Sequence, residues 1–149
     1  MTTSADAMRG QFWRELSSLR TGMLGLADRD THAQPMTAHF DQPDGAVWFI
    51  ARADSPLANA ARRSANAMFT YTARGHDMYA CIGGRLEEDR DRSILDRYWT
   101  PEVARWFSDK SGAALLRFEP SEGEVWIPGQ SADATKVSFR PEPRKAAAM

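Results

Sequence analysis

The stretch with the clearest potential for chemistry covers residues 46–57, AVWFIARADSPL. Its apolar half is rich in branched and aromatic residues and too short for a typical helix, which predicts a buried strand. Ser55 followed by Pro56 is typical of a helix start, with serine as the N-cap. A strand that leads into a helix N-terminus presents unpaired backbone N–H groups, which suit an anion such as phosphate. Most such helix starts bind nothing, so the segment alone leaves both interpretations open.

No motif of a common catalytic class accompanies this segment. The sequence lacks the glycine-rich loops of nucleotide-binding folds, the G-x-S-x-G elbow of hydrolases, the H-E-x-x-H helix and any paired cysteine motif. The histidines lack the spacing of metal ligands, although His39 and Asp41 could meet on one strand face. We therefore expect no metal site, and the sequence identifies no catalytic residue.

Charge and cysteine content exclude several classes of protein. Nineteen basic and 20 acidic residues are mixed along the chain, and the formal net charge of −1 argues against binding to nucleic acid. Cys81 is the single cysteine, which rules out an intramolecular disulfide. The first residues lack the layout of a signal peptide, and every apolar run is too short to span a bilayer. These features predict a cytoplasmic protein without a membrane partner.

Periodicity and turn residues predict a mainly β chain with single helices. Helices are predicted over residues 5–19, 56–63 and 101–107, and a charged helix start over residues 87–92. Strands are predicted over residues 21–27, 34–40, 46–51, 66–73, 78–86, 113–118 and 124–127, with a turn at 119–123. This pattern favours an antiparallel barrel with peripheral helices in one domain, residues 1–129. Residues 130–149 are expected to be a loosely ordered tail, with a short strand at 136–140 as one option.

Several segments, taken in order, carry a resemblance to a known family. They are residues 34–36 (QPM), 48–49 (WF), 54–55 (DS), 83–90, 99–107 and 115–126. Together they resemble the bacterial general stress proteins of the pyridoxamine 5′-phosphate oxidase-like superfamily over residues 9–129. The resemblance implies a mainly β fold with peripheral α-helices, an antiparallel split β-barrel of six to seven strands. It also implies a homodimer that binds flavin mononucleotide (FMN) in clefts at the dimer interface.

The resemblance also implies a set of flavin contacts, and this chain departs from it. In the family an arginine before P-M, a threonine or serine after the W-F strand and a lysine in D-S-x-K hold the flavin phosphate. The corresponding residues here are Gln34, Ala51 and Leu57. The cofactor-binding residues that the resemblance implies, together with possible substitutes, are Gln34, Pro35, Met36, Thr37, Ile50, Ala51, Arg52, Ser55, Leu57 and Trp126.

Arginines close to the altered positions offer compensation. Arg52 follows the lost hydroxyl directly, and Arg62 and Arg63 lie on the adjoining predicted helix. All three lysines of the chain lie beyond residue 109, so none is available near this segment. Because a charge-assisted hydrogen bond contributes roughly 1.5–3 kcal/mol, losing two would weaken flavin binding by orders of magnitude unless an arginine replaces them.

Three functions remain open at this stage. The leading one is a flavin-binding general stress protein, with oxidoreductase activity as an extension in which the flavin ring does the redox work. The second is a non-enzymatic dimeric binding protein whose flavin site has degenerated. The third is a relative that uses FAD, the deazaflavin F420 or haem, where an axial haem role for His39 requires it to face the cleft.

Overall fold

The computed structural model describes residues 4–27, 30–130 and 132–140 of the 149-residue chain. In chain order the elements are α1 (Ala5–Ser18), β1 (Thr21–Leu26), β2 (Gln34–Thr37), β3 (Val47–Arg52), α2 (Pro56–Ala61), β4 (Ala65–Thr72), β5 (Tyr79–Asp89), α3 (Arg92–Tyr98), α4 (Pro101–Ala104), β6 (Ala113–Trp126) and β7 (Thr135–Ser138). A 3₁₀ turn, Lys110–Gly112, precedes β6. The predicted mainly β class is confirmed.

All seven strands form one antiparallel sheet with the order β2-β1-β4-β5-β6-β3, and β7 pairs with β6 beside this path. Among the described residues, a single isolated bridge joins the two ends of this path, between His39, just after β2, and Trp48 of β3. Two backbone hydrogen bonds of 2.9 and 2.8 Å form this bridge. The sheet therefore curls into an antiparallel barrel that is not closed, and the opening lies between β2 and β3.

The inner face of the sheet forms the main core, and α1 completes it. Phe12 of α1 packs edge-to-face against Tyr71 and Phe139, with ring centroids 5.6 and 5.3 Å apart. Trp13 is buried as well and donates from its indole nitrogen to Asp44 at 3.0 Å. None of the helices within the described ranges combines the length and apolarity that a bilayer crossing needs.

The turn predicted at residues 119–123 is absent, and β6 runs through it without interruption. The pairing of β6 with its neighbour β5 explains why the predicted turn is wrong. The pairing of β5 with β6 shifts register between Ile82 and Gly84, and Pro120 pairs there, where a residue without an N–H is tolerated. Gly123 allows β5 to approach closely, because a Cβ at this position would lie 2.9 Å from the carbonyl oxygen of Cys81.

The charged run at residues 87–92 was predicted as a helix start, but its first three residues extend β5. Glu87, Glu88 and Asp89 pair with β6, and α3 begins only at Arg92 with Asp91 as its N-cap. Pairing with β6 overrides the preference of these charged residues for a helix start, because alternate side chains can point to ion-pair partners at the end of the strand.

The tail beyond residue 129 is more ordered than expected over residues 135–139. The optional strand exists as β7, which pairs with residues 122–125 of β6. Val137 and Phe139 are buried in the main core, and the Phe139 amide donates to the Ser121 carbonyl oxygen at 2.6 Å. Two apolar residues at alternating positions thus tie this part of the tail to the barrel. Residues 141–149 lie outside the described residues.

Candidate functional site at the split of the barrel

The opening of the barrel brings together two segments that the sequence predicted as cofactor-binding. We call residues 34–37 the β2 lip and residues 50–55 the β3 lip. Continuing the register of the His39–Trp48 bridge would set Thr37 opposite Ile50 and Pro35 opposite Arg52. The strands are not paired at these positions within the described chain, so the two lips border a split.

The β2 lip is an edge strand that pairs with β1 alone. Met36 is buried in the main core, whereas Pro35 and Thr37 are exposed on the opposite face and Gln34 is half-buried. This alternation leaves the backbone of the β2 lip and the Thr37 hydroxyl available to a ligand in the split. Gln34 supplies an amide where the family's phosphate contact is a cationic guanidinium, so the lip contributes no positive charge.

The β3 lip is covered on both faces. Ala51 belongs to the main core, and Ile50 packs on the outer face with Leu95 and Tyr98 of α3. The Ile50 side chain therefore lies beneath α3. Only the backbone of residues 50 and 51 can line the split, and Ala51 has no hydroxyl to offer.

The turn at residues 53–55 connects the β3 lip to α2, as the sequence predicted. Ser55 is the N-cap of α2, and its hydroxyl oxygen accepts a hydrogen bond from the Ala58 amide at 3.1 Å. Leu57 follows and is 0 % exposed in the main core. The Leu57 side chain is therefore enclosed by the core and carries no charge that could hold a phosphate.

Arg52 is the cation best placed for a ligand at this end of the split. Its side chain is 71 % exposed, and one guanidinium nitrogen lies 3.2 Å from a carboxylate oxygen of Asp54. Arg63 is exposed, and its guanidinium forms no ion pair or hydrogen bond with the residues described. Arg62 already donates through all three guanidinium nitrogens to Ala53, Asn59 and Glu88.

Trp126 is not brought to the split by its own chain. It pairs with Tyr79 at the end of β6, whereas Ala113 at the start of β6 pairs with Arg52. A strand rises about 3.3 Å per residue, so the length of β6 separates the tryptophan from the Arg52 turn. Along the other direction of the sheet, four strand spacings of about 4.8 Å separate β6 from β2.

The comparisons with known proteins agree with this arrangement. Residues 7–143 match the family described as pyridoxamine 5′-phosphate oxidase like. The chain belongs to the pyridoxamine 5′-phosphate oxidase-like family. No curated protein matches the chain at a significant level.

Several solved structures share the fold over most of the chain. A general stress FMN/FAD binding protein from Xanthomonas citri is 35% identical, with a TM-score of 0.73 over 87% of this chain and 95% of that one. A protein assigned to the general stress family from Xanthomonas campestris pv. campestris is 34% identical, with a TM-score of 0.74 over 90% and 96%. A protein assigned as general stress protein 26 from Jannaschia sp. CCS1 is 27% identical, with a TM-score of 0.76 over 91% and 100%. The predicted split β-barrel is thus confirmed.

The family's ligand can be tested against the residues present at the split. An open split with backbone edges on both sides and the exposed Arg52 guanidinium suits a flat ring system that carries a phosphate. Two positions do not fit that phosphate, because Ala51 lacks a hydroxyl and Leu57 is buried. The fit is therefore partial: the split and the Arg52 cation are present, whereas an amide at Gln34 and apolar groups at Ala51 and Leu57 stand in place of the family's phosphate contacts.

His39 lies at the closed end of the split, and sequence reasoning missed its environment. The imidazole stacks on the Tyr98 ring with centroids 5.0 Å apart, and the residue is only 8 % exposed. Burial, with a smaller contribution from the positive charge of Arg20, lowers the pKa of His39 to about 4. Asp41 pairs with Arg97 instead of His39. A ring covered in this way does not suit an axial haem ligand.

Two further grooves lie away from the split. One, of about 780 Å³, is bordered by Arg85, Arg117 and Arg140, and contains none of the predicted cofactor-binding residues. The other, of about 670 Å³, lies between the end of α2 and the end of β5 and is lined mainly by charged residues, Arg62 and Glu88 among them. No cluster of His, Cys, Asp or Glu side chains suited to a metal ion occurs in the described part of the chain.

Proposed function

We propose that this protein binds FMN in the split between β2 and β3, with Arg52 as the principal contact of the flavin phosphate. The exposed guanidinium of Arg52 at the end of an open split is the observation that carries this proposal. The relative from Xanthomonas citri, which is 35% identical, is described as FMN/FAD binding, and this supports a flavin here. FAD is the alternative flavin, because Arg52 is exposed and leaves room for a larger phosphate group.

The proposed binding is weaker than a full set of phosphate contacts would give. Each lost charge-assisted hydrogen bond removes roughly 1.5–3 kcal/mol of binding free energy. The loss at positions 34 and 57 therefore predicts a flavin that dissociates during purification, rather than one that stays bound. When bound, the flavin would supply redox chemistry, and the chain would bind and orient it and shield one face from water.

A second copy of the chain is part of the proposal. The outward positions of β1, β4 and β5 are exposed and include the large apolar side chains Met23, Met68 and Tyr79. Trp126 borders this face through its pairing with Tyr79. Because Trp126 cannot reach the split of its own chain, a flavin enclosed by this residue needs the tryptophan of a partner. We propose a homodimer through this face, which analytical ultracentrifugation would test.

Flavin titration of the purified protein tests the proposed site. The wild type should quench FMN fluorescence in a saturable manner, and Arg52→Gln should raise the Kd for FMN about tenfold through loss of one charge-assisted contact. The Kd for riboflavin, which lacks the phosphate, should stay within twofold. Arg105→Gln, at the exposed C-cap arginine of α4, is the matched control. Absence of binding for both flavins at millimolar concentration would contradict the proposal.

A binding protein without redox activity is the second candidate function. It is favoured by the apolar groups at Ala51 and Leu57, which stand where the family places phosphate contacts. If the site has degenerated in this way, the wild type takes up no flavin, and Gln34→Arg should create binding at the half-buried edge position. Lack of any gain in that variant would count against this candidate.

A further inference from the structure

Arg62 joins three parts of the molecule. It is the C-cap residue of α2, and its Nη2 donates to the Ala53 carbonyl oxygen at 2.6 Å. Its Nη1 donates to Asn59 Oδ1 at 2.6 Å, and its Nε donates to Glu88 Oε2 at 3.0 Å. The planar guanidinium can satisfy these three acceptors at once, which the single ammonium of a lysine cannot do.

Glu88 fixes this arginine to the sheet. It lies near the end of β5, pairs with Leu116 of β6, and its side chain is 15 % exposed. Its other carboxylate oxygen accepts a hydrogen bond from Arg90 Nε at 3.0 Å. A carboxylate that is mostly shielded from water interacts more strongly with its partners than an exposed one. The anchor of Arg62 is therefore a strand in the middle of the sheet.

The segment held by Arg62 is the turn that carries the proposed phosphate site. Two backbone hydrogen bonds define this turn, from the Ala53 amide to Gly112 at 2.9 Å and from the Ser55 amide to the Arg52 carbonyl at 3.0 Å. The Ala53 carbonyl points to Arg62 and receives its hydrogen bond. Without that donor the Ala53 carbonyl would lose the hydrogen bond that ties it to α2 and β5, and the orientation of Arg52 would be set less precisely.

We propose that Arg62 is a positioning residue, which holds the turn at residues 53–55 in the conformation that presents Arg52 to the flavin phosphate. This inference rests on the proposed function for its ligand, but the clamp itself is a property of the ligand-free chain. The sequence suggested Arg62 as a direct phosphate contact. The structure assigns it the other role, because all three of its nitrogens already donate within the protein.

Amide hydrogen exchange of the ligand-free protein tests the clamp. Arg62→Lys keeps the charge but cannot bond all three acceptors, so the amides of Ala53 and Ser55 should exchange about tenfold faster than in the wild type. Arg63→Lys, at the exposed neighbour whose guanidinium has no partner among the described residues, should leave these amides unchanged. Glu88→Gln removes the anchoring charge with the same shape and should give the same increase. Unchanged exchange in Arg62→Lys and Glu88→Gln would overturn the clamp.

Flavin affinity tests the consequence for the site. In Arg62→Lys the Kd for FMN should rise about tenfold while the Kd for riboflavin stays within twofold, because only the phosphate contact depends on the turn. A general loosening of the barrel would weaken both flavins equally and would overturn the positioning role, as would an unchanged Kd for FMN. If the wild type takes up neither flavin, the proposed function fails. The exchange measurement then upholds or overturns the clamp by itself.

Discussion

The two lips of the split border the same opening but are held in place differently. The β3 lip pairs with β6 along the whole of β3, carries core residues on one face and α3 on the other, and ends in the turn bonded by Arg62. The β2 lip has four residues, pairs with β1 alone and exposes alternate side chains. This difference indicates that the β3 lip is a fixed wall of the site, whereas the β2 lip can adjust to a ligand.

The largest effect is expected at residue 57 of α2, just beyond the fixed lip, where the family's lysine is replaced by a buried leucine. Leu57→Lys would place an ammonium group in the main core, at a position that is 0 % exposed. Burial of an unpaired charge should lower the free energy of unfolding by about 3–5 kcal/mol. Urea denaturation measures this, with Gln34→Arg on the β2 lip as the counterpart that should change stability by less than about 0.5 kcal/mol. Equal free energies of unfolding for the two variants would contradict the proposed difference between the two lips.

The junction of the two lips predicts the next largest effect, a dependence of stability on pH. Burial lowers the pKa of His39 from its ordinary value of 6.5 to about 4. Between these values the unfolded chain binds a proton at residue 39 that the folded chain does not, so stability falls as the pH is lowered through this window. The loss attributable to His39 is at most about 3 kcal/mol.

Replacement of the histidine isolates this contribution. His39→Gln should show a smaller loss of unfolding free energy than the wild type between pH 6.5 and pH 4, measured by urea denaturation at each pH. Stability contributions from carboxylates are common to both proteins and cancel in the difference. Identical pH profiles would show that the folded chain accommodates the protonated ring.

A gain of affinity is expected from the adjustable lip. Gln34→Arg adds a guanidinium at the half-buried edge position, where the family's phosphate contact stands. One added charge-assisted hydrogen bond should lower the Kd for FMN about tenfold, or by about 1.4 kcal/mol. Riboflavin should bind as it does to the wild type, and isothermal titration of both flavins measures the difference. An equal gain for riboflavin would place the new contact away from the phosphate.

The smallest effect concerns the exposed face of the β2 lip. Thr37→Ala removes an exposed hydroxyl from a strand that pairs on one side only, so the free energy of unfolding should change by less than about 0.5 kcal/mol. Strand β3 gives the contrast, since Phe49→Ala, one residue before the β3 lip, empties a fully buried core position and should cost about 3–5 kcal/mol. Thermal denaturation of both variants would reveal whether the lips differ as described.

Much of the fold follows from the local pattern of the sequence. The alternation of residues 66–72 predicts β4, and Ser55-Pro56 predicts the start of α2. The sequence predicts two strands in place of β6, because Pro120 and Gly123 are typical turn residues. In the structure, Pro120 lies at a register shift and Gly123 at a close approach of two strands. Such uses depend on the partner strand, which the local sequence does not contain.

The candidate site stays a prediction from the resemblance, and the structure adds details that the sequence does not contain. The resemblance assigned the two lips, and the structure brings them to one split. It did not predict that Leu57 is buried or that Arg62 bonds Glu88, which lies 26 residues further along the chain. Both facts arise from packing between distant elements. The type of residue at a position that the family uses for binding therefore determines the chemistry available there. The burial of that residue and its contacts decide whether this chemistry can reach a ligand.

A crystal structure of the protein grown with saturating FMN tests the central claim most directly. We predict flavin density between the β2 and β3 lips, with the phosphate within hydrogen-bond distance of the Arg52 guanidinium and Arg62 still bonded to the Ala53 carbonyl oxygen. Flavin density confined to another groove, or a phosphate that contacts neither Arg52 nor its turn, would contradict the proposed site.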